Sequence, residues 1–568
     1  MFKRFLGYFL LIFILVATIF TTEVITGNVY LGIGQQVVFE QSDRFKMTIL
    51  LLPLDSRPPC TQFVEKLGAI AGIKIILPPA EILDNYKSSA DRIALQQWLR
   101  QNIHQADAAI ISLDMLIHGG LLASRHAYGS ELDQEKVLHF LSELHTDVPH
   151  IPIHIFNIIP RLLIADTEET MRFQKSMAQY FTLKDQVAIF ENPADIQKLY
   201  DLEKNIPPEL IEKYQYLYTQ NRDLNIQLIN MTNMGIFASL VVGQDDGQVF
   251  GWPSSIKRNL EKQLTNFPEL KNKVFVTRGT DEVALTILGK IAMDYVNERP
   301  KIYVAYSQPY AAQTVMPFMP HTVQQTVSEK IELIKGVQVN DPDKADFILY
   351  VHIGNRTTKD QALIKASQEL TSLMEKDYKI ALVDLTEDFY ASETLLSLML
   401  KQKADLTQLV GYAGWNTTSN SIGTAITQAA IFTQSLKKTI SPSESREMVK
   451  NNLEFLIARY LDDWYYQKNI QPSINQRLLH TDIDPYNLGS AYRKTDQLIQ
   501  NAMADKARHL FNQSLSLRPI TVSFDGTKQK VIITDLQIIS HLPWQRTFEI
   551  HVRPHVSMAY WGEKKSGD

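Results

Sequence analysis

The chain has one cysteine, Cys60, among 568 residues, so it can form neither an internal disulfide nor a cysteine-rich zinc site. Thiol-poor composition suits exported bacterial proteins and cytosolic ones alike, and so sets no compartment. An excess of positive charge is missing too. With 57 Lys and Arg against 62 Asp and Glu, the formal net charge is -5, which lacks the field that sequence-independent nucleic-acid binding relies on. No nucleic-acid partner is expected. Histidines occur in neither H-E-x-x-H nor H-x-H spacing, and no P-loop, G-x-G-x-x-G or G-x-S-x-G is present. A zincin helix, a nucleotide cradle and a serine-hydrolase elbow therefore have no support, and no cofactor or metal is expected.

Apolar residues, by contrast, make up 45% of the chain, enough for substantial cores in about two to four domains. At the N-terminus Lys3 and Arg4 precede an uncharged run from Phe5 to Thr22 that is rich in Phe, Leu and Ile. A positive region followed by an apolar one is the order of an export signal. The run approaches the roughly 17–25 residues that span a bilayer, and no A-x-A-like cleavage site follows it. Residues 1–26 are thus expected to be a signal peptide or a signal-anchor, the anchor being favoured, with 27–46 as a tether between membrane and body.

From Met47 to about Leu436, short β-rich runs alternate with amphipathic stretches, the rhythm of a parallel sheet covered on both faces. The expected strands are Thr48–Leu54, Ile73–Leu77, Ala108–Leu113, Ile153–Ile158, Ala238–Gly243, Val274–Thr277, Ile302–Tyr306, Phe347–His352, Ile380–Leu385 and Leu409–Ala413. These are more than one (β/α)8 barrel needs. The α/β body, residues 47–440, is therefore expected to be either barrel-like with extra strands or two doubly wound sheets that meet near Glu298 and Arg299. A strand-free stretch over about 167–237 reads as a helical insertion, and residues 441–517 carry apolar side chains at helical spacing. Residues 518–568 read as a small β-rich unit, with strands at Ile520–Phe524, Lys530–Thr534 and Phe548–Val552 and a tight turn at Asp525-Gly526.

Parallel α/β folds bind ligands beyond the carboxyl ends of their strands, so polar clusters just after apolar runs are informative. Such clusters contribute Asp55 and Arg57, Asp114 and His118, Arg161, Arg278 with Asp281 and Glu282, Asn355, Asp384, and Trp415 with Asn416. The sharpest is Gly243-Gln244-Asp245-Asp246-Gly247. Adjacent carboxylates repel one another and can hold different pKa values, as acid–base chemistry requires, and the flanking glycines permit close approach. Trp252 follows and offers an aromatic face for a sugar ring. A divalent-cation site and a solvated turn are the competing readings of the pair. Bland readings also stand beside the others: Asp55 and Arg57 can simply order a loop, His118 can be structural, and Asp281 and Glu282 suit a helix N-terminus. Trp415 can likewise fill core while Asn416 caps a helix that begins near Thr418.

Five motifs together resemble a bacterial family known as domain of unknown function 4127. They are Leu-Pro-Leu-Asp-Ser-Arg-Pro-Pro from Leu52, Ser-Leu-Asp-Met-Leu-Ile-His-Gly-Gly-Leu-Leu-Ala-Ser-Arg from Ser112, Gly-Gln-Asp-Asp from Gly243, Arg-Gly-Thr-Asp-Glu-Val from Arg278, and Tyr-Ala-Gly-Trp-Asn-Thr from Tyr412. The likeness covers about Met47 to the C-terminus and implies relatives without implying a reaction. Separately, Asp245-Asp246 resembles the aspartate pair of substrate-assisted β-N-acetylhexosaminidases of the O-GlcNAcase type. There one carboxylate orients the substrate's 2-acetamido group and its neighbour protonates the leaving oxygen. Those enzymes are (β/α)8 barrels whose pair follows the fourth strand, whereas here it follows the fifth expected strand.

The expectation is an extracytoplasmic glycoside hydrolase acting on an envelope or environmental glycan, with Asp245 and Asp246 as catalytic carboxylates. Its partners would be a carbohydrate substrate and, through the N-terminal segment, a membrane. The alternative is a non-catalytic glycan-binding or envelope-scaffold protein on the same α/β body.

Overall fold

The computed structural model describes residues 45–125, 131–162, 171–355, 360–415, 417–439, 441–524 and 527–562. The expected signal segment and nearly all of the tether lie outside them. Among the described residues no helix is long and apolar enough to cross a membrane.

Six strands, β1 (Met47–Leu52), β2 (Ile73–Ile76), β3 (Ala108–Ser112), β4 (Ile153–Ile159), β5 (Ser239–Gln244) and β6 (Val274–Arg278), form one parallel sheet in the order β2-β1-β3-β4-β5-β6. A second parallel sheet holds β7 (Lys301–Tyr306), β8 (Val337–Val339), β9 (Phe347–Gly354), β10 (Ile380–Thr386) and β11 (Leu409–Ala413) in the order β11-β10-β9-β7-β8. Both follow the same winding: the second strand pairs outside the first, and the chain then crosses to the first strand's other side. The topological switch points therefore fall between β1 and β3 and between β7 and β9. Each sheet keeps two free edges, so the barrel-like alternative gives way to two doubly wound sheets, divided between Val296 and Lys301.

Side-chain alternation along the strands explains the layers. Ile49, Leu51, Ile110 and Ile158 face one core, while Leu50, Leu52, Ile111 and Ile159 face another. The first core continues through the helices Gln62–Ala71, Val283–Val296 and Thr418–Lys438 to Leu349, Val351 and Val383 of the second sheet. Every residue from Val283 to Met293 is buried, Thr286 and Lys290 included, as expected of a largely apolar helix shared by two sheets. The outer face of the first sheet carries the helical insertion, Gln174–Phe190, Pro193–Glu203 and Pro208–Asn233, between β4 and β5.

The outer face of the second sheet packs on the C-terminal helices, among them Pro442–Arg459 and Tyr492–Leu510. Within the expected helical segment, the backbone widens to π geometry over Tyr460–Ile470, which re-aims side chains around the turn. An antiparallel sheet of β12 (Ile520–Phe524), β13 (Thr527–His541) and β14 (His551–Gly562) ends the described chain. The expected last strand, Phe548–Val552, is displaced, because residues 542–550 leave the ladder to reach the body. There the Trp544 indole N–H donates to Ser56 Oγ at 3.0 Å. The expected turn at Asp525-Gly526 lies outside the described residues.

Candidate functional site

The loops after β1, β3, β4, β5 and β6 bring a chain of alternating charges to one rim. Arg57 donates to Asp55 at 2.6 Å and to Asp281 at 2.7 Å. Thr280, next to Asp281, donates to Asp245 at 3.4 Å. Two guanidiniums then grip Asp245: Arg125 through Nε at 2.9 Å and Arg161 through Nε and Nη2, each at 3.1 Å. Arg161 also reaches Asp246 at 2.6 Å, and the Asp246 amide donates to Asp245 at 2.8 Å. Backbone proximity makes this possible. Gly243 lies where a Cβ would come within 2.5 Å of the Gly279 carbonyl, and Gly279 has φ +101 with its own missing Cβ directed at Glu282 and Ser419.

The two aspartates are electrostatically unlike. Burial alone would raise Asp245, but Arg125 and Arg161 outweigh it and hold that carboxyl well below the usual range. Asp246 is pushed up to about 6, first by burial and then by the negative charge of Asp245. The Asp245 side chain is 2% exposed and that of Asp246 21%, so the group able to carry a proton near neutrality is also the one that faces solvent. Such a pair can offer one proton from Asp246 beside a permanently ionised neighbour.

Among the described residues, Asp55, Cys60 and Asp281 bring potential ligand atoms within 4.8 Å of one another. This donor set fits a metal poorly. Arg57 already bonds both carboxylates, and burial, followed by the charge of Asp55, pushes the Cys60 thiol well up, which keeps it protonated.

Of the other residues singled out, Asp114 accepts from the Ile158 amide at 3.0 Å, and burial pushes its carboxyl up to about 7. His118 closes the short helix Leu113–His118 and shares a small cavity with Asp114 and Ser124. Arg278 pairs with Glu329, and Glu282 forms a fully buried pair with Lys330 at 2.6 Å. Asp384 accepts from the Leu395 and Leu396 amides at 2.8 and 2.9 Å, which fixes the start of the helix Leu395–Lys401. Asn355 follows β9 and is half-buried, while Asn416 lies outside the described residues. Trp252 stands among Phe181 and Tyr218 at centroid distances of 5.2 and 5.6 Å. Its ring therefore packs the insertion onto the sheet rather than lining the rim. Trp415 is 6% exposed and meets Phe63 edge-on at 5.7 Å, yet one side of it lines a cavity of about 290 Å³ that also includes Arg57.

Sequence reasoning passed over several residues at this rim. Arg125 ends the motif that begins at Ser112, where nothing in the sequence pairs it with Asp245. Phe318 and Phe389, from loops given no role, and Asp462, Gln467 and Phe548, from the helical segment and the β-rich unit, all lie on the cavity wall. An adjacent carboxylate pair, Asp462-Asp463, inside an otherwise apolar helical run was the available signal.

No curated protein matches the chain. A solved structure described as a galactofuranose binding protein shares 10% identity over 67% of this chain and 86% of that one, at a TM-score of 0.13, which is too low to bear on fold or ligand. A family model described as "Protein of unknown function (DUF4127)" matches residues 49–553, and the chain belongs to that family.

Proposed function

We propose that the chain is an extracytoplasmic glycoside hydrolase acting on an envelope or environmental glycan, with Asp246 as proton donor and Asp245 as the fixed anion beside it. The observation that carries this reading is the split of the pair, with Asp245 pinned by two arginines and Asp246 raised to about 6 at the solvent side. In the step envisaged, the Asp246 carboxyl gives its proton to the glycosidic oxygen as the bond from that oxygen to C1 breaks. Water adds to C1, and its proton returns to Asp246. Arg161, bonded to both carboxylates, keeps their relative position through the cycle.

Screening the purified protein against aryl glycosides and cell-wall fragments tests the reading, with Asp246→Asn as the control. Turnover that falls at least about 100-fold in the variant, the lower end of a positioned acid–base contribution, supports it. Localisation rests on Lys3, Arg4 and the apolar run after them. A C-terminal reporter active only after export should be active, and activity confined to the cytoplasm would contradict the placement.

A second reading, a glycan-binding protein without turnover, is favoured by one observation: neither aspartate lies on the wall of the aromatic cavity that holds Trp415. Saturable glycan binding with no hydrolysis of any panel member would select it.

A further inference from the structure

The cavity of about 290 Å³ lies where the two sheet rims meet the C-terminal units, and its wall carries four aromatic side chains, Phe318, Phe389, Trp415 and Phe548. Phe318 and Phe389 are about half exposed, and both have left-handed backbones, at φ +62 and +63. Bulky residues avoid that region, so each is held there against a local cost, which is a recurring feature of ligand-binding loops. The Phe318 loop is fastened by its carbonyl, which accepts from the Gly247 amide at 3.0 Å, one residue beyond Asp246.

Most charge on this wall is matched from within the protein. Arg57 is taken by Asp55 and Asp281, Asp462 by Arg459 at 3.0 Å, and Glu549 by Arg546 through Nε at 2.8 Å. Lys468 donates to Thr386 at 3.2 Å and forms no ion pair among the described residues, while Asp384, Asp463 and Glu393 act on its charge from further off. An anionic ligand would meet the field of those three acids along with this one ammonium. Neutral hydrogen-bonding capacity remains. The Trp415 indole N–H is buried with no acceptor among the described residues. Gln467 and Gln471 use their amide N–H groups on Asp462 and on backbone carbonyls, and among the described residues no donor reaches their side-chain oxygens. Aromatic faces beside neutral donors and acceptors, in a space of this size, match the C–H faces and hydroxyls of a single sugar ring.

We infer that this cavity is a binding site for one uncharged pyranose ring, in which the Gln467 and Gln471 side-chain oxygens accept from ring hydroxyls and Phe389 covers a ring face. The inference rests on the carbohydrate reading above and adds to it a subsite whose wall does not include the Asp245–Asp246 pair.

The test is titration of the full-length protein with free neutral monosaccharides, glucose, galactose, mannose, N-acetylglucosamine and N-acetylgalactosamine, and with glucuronate as the charged comparison. Binding is followed by tryptophan fluorescence and calorimetry. At least one neutral sugar should bind saturably. Phe389→Ala, at an exposed position that leaves the fold intact by circular dichroism, should weaken it at least about tenfold, and Phe389→Tyr should restore it. Asp246→Asn should leave the affinity within about twofold. No saturable binding, binding indifferent to Phe389→Ala, or a preference for glucuronate would overturn the inference. Binding without hydrolysis of any glycoside supports the ring site and overturns only the hydrolase reading. Hydrolysis without monosaccharide binding does the reverse.

Discussion

Arg57, just after β1, donates to Asp281, just after β6, at 2.7 Å, although β3, β4 and β5 stand between those strands in the sheet. Both side chains are almost fully buried, and Asn420 of the helix after β11 adds a bond to Asp281 at 3.4 Å. Asp281 thus links a loop of the first sheet, through Arg57, to the helix that follows the second sheet, through Asn420.

Removing the Arg57 guanidinium leaves Asp55 and Asp281 facing one another without compensation. Arg57→Met should cost about 3–5 kcal/mol in urea unfolding at neutral pH. Asp281→Asn in the same chain should recover part of the loss, and a double-mutant cycle measures the coupling. Strict additivity would show that the two groups do not act as a unit.

Trp252 belongs to the packing of the helical insertion, against Phe181 and Tyr218. Trp252→Ala should therefore lower stability by about 3 kcal/mol while leaving KM for any glycoside found by screening unchanged. A raised KM at unchanged stability would put the ring back in a binding site.

Asp114 gives a pH signature. Burial raises its carboxyl to about 7 in the folded protein, above the ordinary value near 4, so between those limits the folded state holds a proton that the unfolded chain has released. Its contribution to stability must then fall as pH rises from about 4 to 7 and level off above. Asp114→Asn lacks this slope. Unfolding free energies measured across that window should shift in favour of the variant with rising pH, by at most about 4 kcal/mol. A pH-independent difference would mean that Asp114 is ionised throughout.

Much of the scaffold could be read from local pattern. Runs such as Ile380–Thr386 and Leu409–Ala413 announce themselves by apolar β-branched or aromatic content and by the polar residues that follow, and the division into two sheets was one of two topologies that strand number allowed. Val337–Val339 escaped because a three-residue edge strand is no different from a loop by pattern. At the rim, residue types were legible and partners were not. Asp245 and Asp246 stood out as a pair, but the grip of Arg125 and Arg161, from 120 and 84 positions away, depends on how the β3 and β4 loops fold back. Phe548 and Glu549 read as the start of a strand, and the bonds from Trp544 to Ser56 and from Tyr466, Gln467 and Gln471 to the Thr547 and Phe548 carbonyls show why that segment leaves its sheet to wall the cavity. Trp252 followed the aspartates so closely that adjacency in sequence suggested adjacency in function, which its packing does not support.

The most direct test of the central claim is the pH dependence of kcat/KM for the best glycoside from the screen, in the wild type and in Asp246→Asn. If Asp246 donates the proton, wild-type kcat/KM should fall as pH rises through about 6, as its carboxyl ionises. The variant should lack that limb and run at least about 100-fold slower at its optimum, with its melting temperature little changed. Full activity in Asp246→Asn, or a wild-type profile with no ionisation near 6, would contradict the account.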